Sequence, residues 1–340
     1  MRLPALLAGL LGLTLAACAS QPAPEPEPVR PEWRLAIHGG AGVITPENMS
    51  AEGEAAYREA LQRALGAGAE VLRRGGSAVD AVQASVVVME DDPLFNAGKG
   101  AVMTAARRHE LDASIMSGAR RNAGAVAGVT SVRNPISAAR VVMDESEHVM
   151  FSGRGADEFA RTHGVATVAN SYFTTQRRRE ALERVLRERT RDDADRHGTV
   201  GAVALDRNGH LAAATSTGGM TAKAAGRIGD SPLIGAATYA EDDVCAVSAT
   251  GHGEYFIRVG VAKTICERVK HLGEGIEAAS AAALDEVAAL GGDGGVVVMD
   301  GYGRVGFVFN SSGMYRGEID ASGARTAIFG KPPAAGPNSE

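Results

Sequence analysis

The chain has 340 residues, with 35 basic side chains against 41 acidic ones and a formal net charge of −6. That balance leaves no electrostatic footprint for a nucleic-acid backbone, and 45% apolar with 22% charged residues excludes a disordered or fibrous chain. Glycine accounts for 43 residues, well above the usual share of about 7%, and aromatic residues for only 4%. The interior is therefore expected to be built from Ala, Val, Leu and Gly, with backbones able to approach one another and a ligand closely.

Met1-Arg2 and the apolar run Leu6 to Ala17 are too short to span a bilayer and read as an export signal over residues 1–17. Leu15-Ala16-Ala17-Cys18 resembles the bacterial lipobox, where the signal is cut before the cysteine and the thiol is lipidated. Ala19 and Ser20 are not the Asp that retains such proteins at the inner membrane. The expectation is a periplasmic protein held at the outer membrane through a lipid on Cys18 and in no other way. An ordinary cleaved signal with a coincidental cysteine is the alternative. Residues 18–32 carry Pro22, Pro24, Glu25, Pro26, Glu27 and Pro28, which favour an extended polyproline-like tether.

Trp33 to Ile37 reads as a strand running into a glycine turn, His38-Gly39-Gly40-Ala41-Gly42. A helix follows from about Ala51 to Arg73, with Tyr57, Leu61, Leu65 and Leu72 on one face. Ser77 to Asp80 has a capping-box pattern that opens a second helix towards Met89, and Asn134-Pro135 starts a third through about Met143. Gln176 to Thr190 is helical in pattern, and Arg191 to Arg196 has no apolar face to bury. Thr199 to Leu205, a turn at Asp206-Arg207-Asn208-Gly209 and Leu211 to Thr217 form a hairpin. A three-residue loop makes opposed positions sum to 416 and sets Thr199 against Thr217; a two-residue loop shifts the pairing by one. Strands at Val244 to Ser248, Gly295 to Met299 and Arg304 to Phe309, with helices at Tyr255 to Lys270 and Ile276 to Leu290, complete the chain. Helix layers enclosing two sheets, a four-layer α-β-β-α sandwich of the α/β class, are the predicted architecture.

Cys245 and Cys266 lack metal-ligand spacing and read as two buried thiols, although an oxidising compartment permits a disulfide. The eight histidines contain no pair with zinc-site spacing. Asn96-Ala97-Gly98-Lys99-Gly100 lacks the hydroxyl residue of a P-loop, and no Gly-x-Ser-x-Gly elbow occurs. What remains is a cluster of threonines and glycines: Gly198-Thr199, Thr215-Ser216-Thr217-Gly218-Gly219 and Thr250-Gly251-His252-Gly253-Glu254. Threonine is common in strands, so each motif alone is weak. A threonine hydroxyl is a poor nucleophile until a base takes its proton. An N-terminal threonine carries its own base, an α-amine with a reference pKa of about 7.7–8.0, and its β-branch restricts the rotamer. Cutting between Gly198 and Thr199 would create such a terminus.

At this point the chain resembles the plant-type asparaginases, or isoaspartyl peptidases, within the N-terminal-nucleophile hydrolases. The matching stretches are His38 to Gly42, Pro93 to Gly100, Glu110 to Ala113, Asn134 to Ile136, His197 to Gly201, Thr215 to Gly219, Gly226 to Pro232 and Ala249 to Gly251. They run in order from Ile37 and, with the following strands to about Phe309, cover nearly the whole domain. The resemblance implies self-cleavage at Gly198–Thr199, giving an α chain over 33–198 and a β chain over 199–340. It also implies that Thr199 is the nucleophile, Thr217 its hydrogen-bond partner, and Thr250 with the Gly251 amide the oxyanion hole. Arg227 would bind a substrate α-carboxylate, Asp230 the α-ammonium, and Gly253 would shape that pocket. No catalytic cofactor is implied. A structural sodium would be held by backbone carbonyls of Met89, Glu90, Asp92, Phe95 and Ala97, although Asp91-Asp92 departs from the usual pattern. Relatives pair as two αβ units, so a homodimer is expected.

The implied substrates are isoaspartyl dipeptides and L-asparagine. Two alternatives stand beside this. A glycosylasparaginase shares the fold and nucleophile but usually has Asp before the threonine, where this chain has Gly198. A non-catalytic envelope lipoprotein could keep the fold as a binding module.

Overall fold

A computed structural model describes residues 30–188 and 198–330. The export signal, Cys18, most of the tether and the segment 189–197 lie outside the described residues.

Strand β1 (Arg34–Gly42) opens the domain. It continues through the whole glycine run, which is not the turn expected from the sequence. A later strand supplies the partner: Gly40, Ala41 and Gly42 pair with Tyr315, Met314 and Gly313, and the register slips only between His38 and Gly40. Helix α1 (Ala51–Arg73) begins at Ser50, whose side chain accepts the Gly53 amide, and buries Leu61, Leu65 and Leu72. Helix α2 (Ala78–Asp91) is capped in the same way by Ser77 accepting from Asp80. Each cap is worth about 1 kcal/mol against alanine.

β2 (Leu111–Ser117) and β3 (Ala123–Val129) were not legible in the sequence. α3 (Pro135–Glu145), β4 (Met150–Ser152), α4 (Gly153–Thr162) and α5 (Gln176–Glu188) complete the first half. β5 (Val200–Leu205) and β6 (Leu211–Thr217) form the expected hairpin, with Val200 opposite Ser216 and Leu205 opposite Leu211. The three-residue-loop register is therefore the one adopted. β7 (Thr238–Glu241) and β8 (Cys245–Gly251) follow. The helix expected from Tyr255 to Lys270 is broken into α6 (Gly253–Val259) and α7 (Val261–Leu272) by Gly260, left-handed at φ 65°. α8 (Ile276–Ala289), β9 (Gly294–Asp300), β10 (Val305–Phe309), β11 (Gly313–Asp320) and β12 (Gly323–Phe329) end the described chain.

One sheet has eight strands in the order β12-β11-β1-β5-β6-β2-β3-β4, the other four in the order β10-β9-β8-β7. α1, α2 and α3 pack on the outer face of the larger sheet, α7 and α8 on the outer face of the smaller, and the inner faces meet through β1, β5, β6, β7, β8 and β9. This is the predicted α-β-β-α sandwich. One apolar core lies under α1 to α3; a second, with Ala36, Val203, Ala213, Val247 and Val298, fills the space between and beneath the sheets. Cys245 and Cys266 are a disulfide with Cα atoms 5.6 Å apart, not two thiols, and tie β8 to α7.

Candidate active site

The hairpin register carries Thr199 and Thr217 to the same end of the sheet, where their hydroxyl oxygens lie 3.1 Å apart and both residues are buried. Thr217 Oγ1 also accepts the Gly219 amide at 2.9 Å, which orients it towards Thr199. On the facing sheet, Thr250 at the end of β8 accepts the Ala41 amide at 3.4 Å. Thr199, Thr217, Arg227, Asp230 and Gly251 line a narrow cleft. Thr250 stands one residue behind its wall, and Gly198 lines a separate cavity with Gly39, Gly40 and Tyr315. The Gly198–Thr199 bond thus separates two spaces.

Gly40 sits against that bond with φ 112°, and a Cβ there would come within 2.7 Å of Gly198 Cα. Gly253 lies against both charged side chains: a Cβ there would meet Asp230 Oδ1 at 2.8 Å and Arg227 Nη2 at 3.0 Å. The cleft holds opposite charges side by side. Burial pushes the Asp230 carboxyl up to about 7, against the opposing pull of its own backbone amide and of Arg227, and Oδ2 has no hydrogen-bond partner among the described residues. Arg227 is gripped by Glu254, Nε and Nη2 each 2.9 Å from a carboxylate oxygen.

Sequence reasoning gave no role to four side chains that shape this site. Asn96 clamps the loop after β6, donating from Nδ2 to the Gly219 carbonyl and accepting the Val102 amide, both at 2.8 Å. Asp112 lies opposite Thr217 on β2, and its Oδ2 is 3.9 Å from the buried Lys223 ammonium, which donates to the Glu110 carbonyl. Burial raises the Asp112 carboxyl and lowers the Lys223 ammonium from their ordinary values. Glu254 is the fourth. A carboxylate inside the apolar run Leu111 to Met116 was the available signal for Asp112; the others carry none.

The loop after α2 closes on itself through Lys99 N donating to Glu90 O at 2.7 Å. Gly100, with φ 110°, leaves open a space where a Cβ would meet the carbonyls of Pro93 and Phe95 at 2.6 and 2.7 Å. Of the carbonyls expected to hold a sodium ion, those of Met89, Glu90 and Asp92 accept the Asp92, Lys99 and Phe95 amides within this loop. No cluster of three or more His, Cys, Asp or Glu among the described residues could hold a metal.

The family model described as Asparaginase matches residues 31–328. The isoaspartyl peptidase of Escherichia coli (strain K12) is 47% identical over 292 residues, covering 83% of this chain and 91% of that protein. The isoaspartyl peptidase/L-asparaginase of Bos taurus is 40% identical over 284 residues, covering 82% and 91%. With the two-sheet sandwich and the Thr199–Thr217 pair already placed, these matches show that the chain belongs to the asparaginase family of N-terminal-nucleophile hydrolases.

Proposed function

We propose that the protein cleaves itself between Gly198 and Thr199 and then hydrolyses β-linked L-aspartyl compounds, namely isoaspartyl dipeptides and L-asparagine. The observation that carries this reading is the Thr199–Thr217 hydroxyl pair at 3.1 Å, in a cleft that also holds Arg227 and Asp230. The Escherichia coli relative is named an isoaspartyl peptidase and the Bos taurus relative an isoaspartyl peptidase/L-asparaginase, and neither a glycosylasparaginase nor a binding module is favoured.

In the first step Thr199 Oγ1 adds to the Gly198 carbonyl, the C–N bond breaks, and the acyl group moves from nitrogen to oxygen. Water then hydrolyses the ester, leaving a Gly198 carboxylate and a free Thr199 amine. That amine takes the hydroxyl proton while Oγ1 attacks the side-chain carbonyl of the substrate. Thr250 and the Gly251 amide stabilise the oxyanion, a contribution of about 3 kcal/mol per donor. The leaving amine or ammonia departs with a proton, and water frees aspartate from the β-aspartyl ester. Arg227 and Asp230 act together because only an aspartyl residue with both α-groups free presents a carboxylate beside an ammonium.

The same reading includes a sodium ion on the carbonyls of Met89, Glu90, Asp92, Phe95 and Ala97, which would stiffen the loop carrying Asn96. It also includes a homodimer of αβ units and export with a lipid on Cys18. A disulfide is the usual mark of an oxidising compartment, which supports export; among the described residues no helix is long and apolar enough to cross a membrane. Intact mass measurement of the purified protein tests the proposal. Two chains split before Thr199 are expected, a single chain from Thr199→Ala, and cleavage of that variant overturns the nucleophile assignment.

A further inference from the structure

Behind the catalytic pair the inner faces of the two sheets hold a second row of polar side chains. Gly201 on β5 lies opposite both His38 on β1 and Thr215 on β6, and Thr215 lies opposite Ser114 on β2. Ser248 on β8 and Thr238 on β7 reach across from the smaller sheet. His38 Nε2 is 2.9 Å from Ser248 Oγ, which is 2.7 Å from Thr215 Oγ1. Thr215 Oγ1 is 2.6 Å from Thr238 Oγ1, which is 2.7 Å from Ser114 Oγ, and Ser114 Oγ donates to the Ser231 carbonyl at 2.6 Å. The row zigzags between the sheets and all six residues are fully buried. Gly201 makes room for it, since a Cβ there would lie 2.5 Å from His38 Nε2 and collide with Ser248 Oγ.

The row has five contacts and four hydroxyls. Thr238 donates to Thr215, and Ser114 donates to Thr238 and to the Ser231 carbonyl, so the single Ser114 hydrogen is shared between two acceptors. Burial, only partly opposed by a hydrogen bond to the Thr199 backbone, lowers the His38 ring pKa to about 3, and the ring stays neutral in the working range.

We propose that this chain of hydrogen bonds is a positioning device that links the strand carrying Thr199 to the loop carrying Asp230, with His38 at one end and Ser231 at the other. It rests on the roles assigned above to Thr199 and Asp230. One end braces the backbone beside the nucleophile; the other braces the carbonyl next to the residue that would take the substrate ammonium.

Nitrogen-15 NMR of histidine-labelled protein reads the protonation of the ring directly. The expected result is one histidine that stays neutral between about pH 5 and 9 and is missing from a His38 variant. A His38 ring that takes up a proton in that range overturns its place in the row. His38→Gln keeps an N–H donor, whereas His38→Met fills similar space without one. Self-cleavage and kcat are expected to stay near wild type in H38Q and to fall by about tenfold or more in H38M. Equal behaviour of the two, or a better H38M, shows a space-filling role and overturns the proposal. Ser114→Ala cuts the other end and is expected to raise KM severalfold with kcat and self-cleavage retained; kcat and KM changing together there overturns the link. Should H38Q fail to fold, the wild-type spectrum still reads the state of the ring. Self-cleavage of Thr199→Ala would sink the functional reading while leaving the result on the His38 ring standing.

Discussion

Arg227 gives Glu254 the planar Nε–Nη2 edge of its guanidinium, at 2.9 Å to each carboxylate oxygen, the same fork that a substrate α-carboxylate would require. Glu254 is about half exposed, so the pair is worth at most about 1 kcal/mol and a substrate can displace it. Glu254→Gln should therefore lower KM for a β-aspartyl dipeptide by about two- to fivefold with kcat retained, as steady-state kinetics would read. A raised KM would instead assign Glu254 to orienting the guanidinium.

Asp230 makes binding and stability depend on pH in opposite directions. Burial raises its carboxyl to about 7 in the free protein, while an unfolded Asp titrates near 3.9. Between these values the folded state holds a proton that the unfolded state has lost, so this group's contribution to stability falls as pH rises from about 4 to 7. A substrate ammonium needs the ionised carboxylate, so kcat/KM should climb over the range of about pH 6 to 8. Asp230→Asn should lose most of kcat/KM and the Asp230 part of that stability slope. A kcat/KM profile flat across the range in the wild type would contradict the role given to this carboxylate.

The parts of the molecule that could be read from the chain are those set by local rules. A three-residue loop fixes the register of β5 and β6, and either hairpin register that the sequence allows leaves Thr199 beside Thr217 on neighbouring strands. The parts that could not be read depend on distant partners. β2 and β3 are buried on nearly every position, and β3 is built of Ala, Gly and Val alone, so they show no alternation to mark them as strands. The run Gly39 to Gly42 looks like a turn until β11, far along the chain, supplies hydrogen bonds for it. The charges around the site follow the same logic: Asp112, Lys223 and Glu254 come from different elements, and no spacing announces that they converge.

The Cys245–Cys266 bridge spans 21 positions and joins the strand that ends in Thr250-Gly251 to a covering helix. Closing a loop of that size is worth about 3 kcal/mol, chiefly by restricting the unfolded chain. Cys245→Ala/Cys266→Ala should unfold at a lower denaturant concentration, by roughly 2–4 kcal/mol, and addition of a reductant should lower the wild type to match. Unchanged midpoints in both experiments would show that the bridge contributes nothing to stability.

Gly40 holds a conformation with φ 112° directly against Gly198. Alanine would be strained by its backbone, and its Cβ would press on the Cα of the residue whose carbonyl Thr199 has to attack. Self-cleavage demands close alignment of the hydroxyl with that carbonyl, and displacements near 1 Å cost about a hundredfold. Gly40→Ala should therefore accumulate as a full-length chain, with processing slowed by about tenfold or more on a denaturing gel. Processing at the wild-type rate would show that the close approach is incidental.

Asp112 and Lys223 form a buried pair beneath Thr217 at 3.9 Å, too long for a tight ion pair, and Asp112 keeps one hydrogen bond of its own, from the Gly128 amide at 2.7 Å. Removing either charge alone leaves the other uncompensated in a dry interior, a loss of about 3–5 kcal/mol. Removing both is expected to cost far less, because burial has already disfavoured the charged form of each. Asp112→Asn and Lys223→Met should each lower the unfolding midpoint sharply, and the double variant should recover part of the loss, giving a coupling energy of about 1–3 kcal/mol in a denaturant-based cycle. The recovered stability should not restore turnover. Lys223 Nζ lies 3.0 Å from where a Cβ on Gly219 would stand, and the Gly219 amide is the donor that orients Thr217. A double variant that regains both stability and kcat would reduce the pair to a structural filler; one that regains stability alone places it in the support of the Thr199–Thr217 contact.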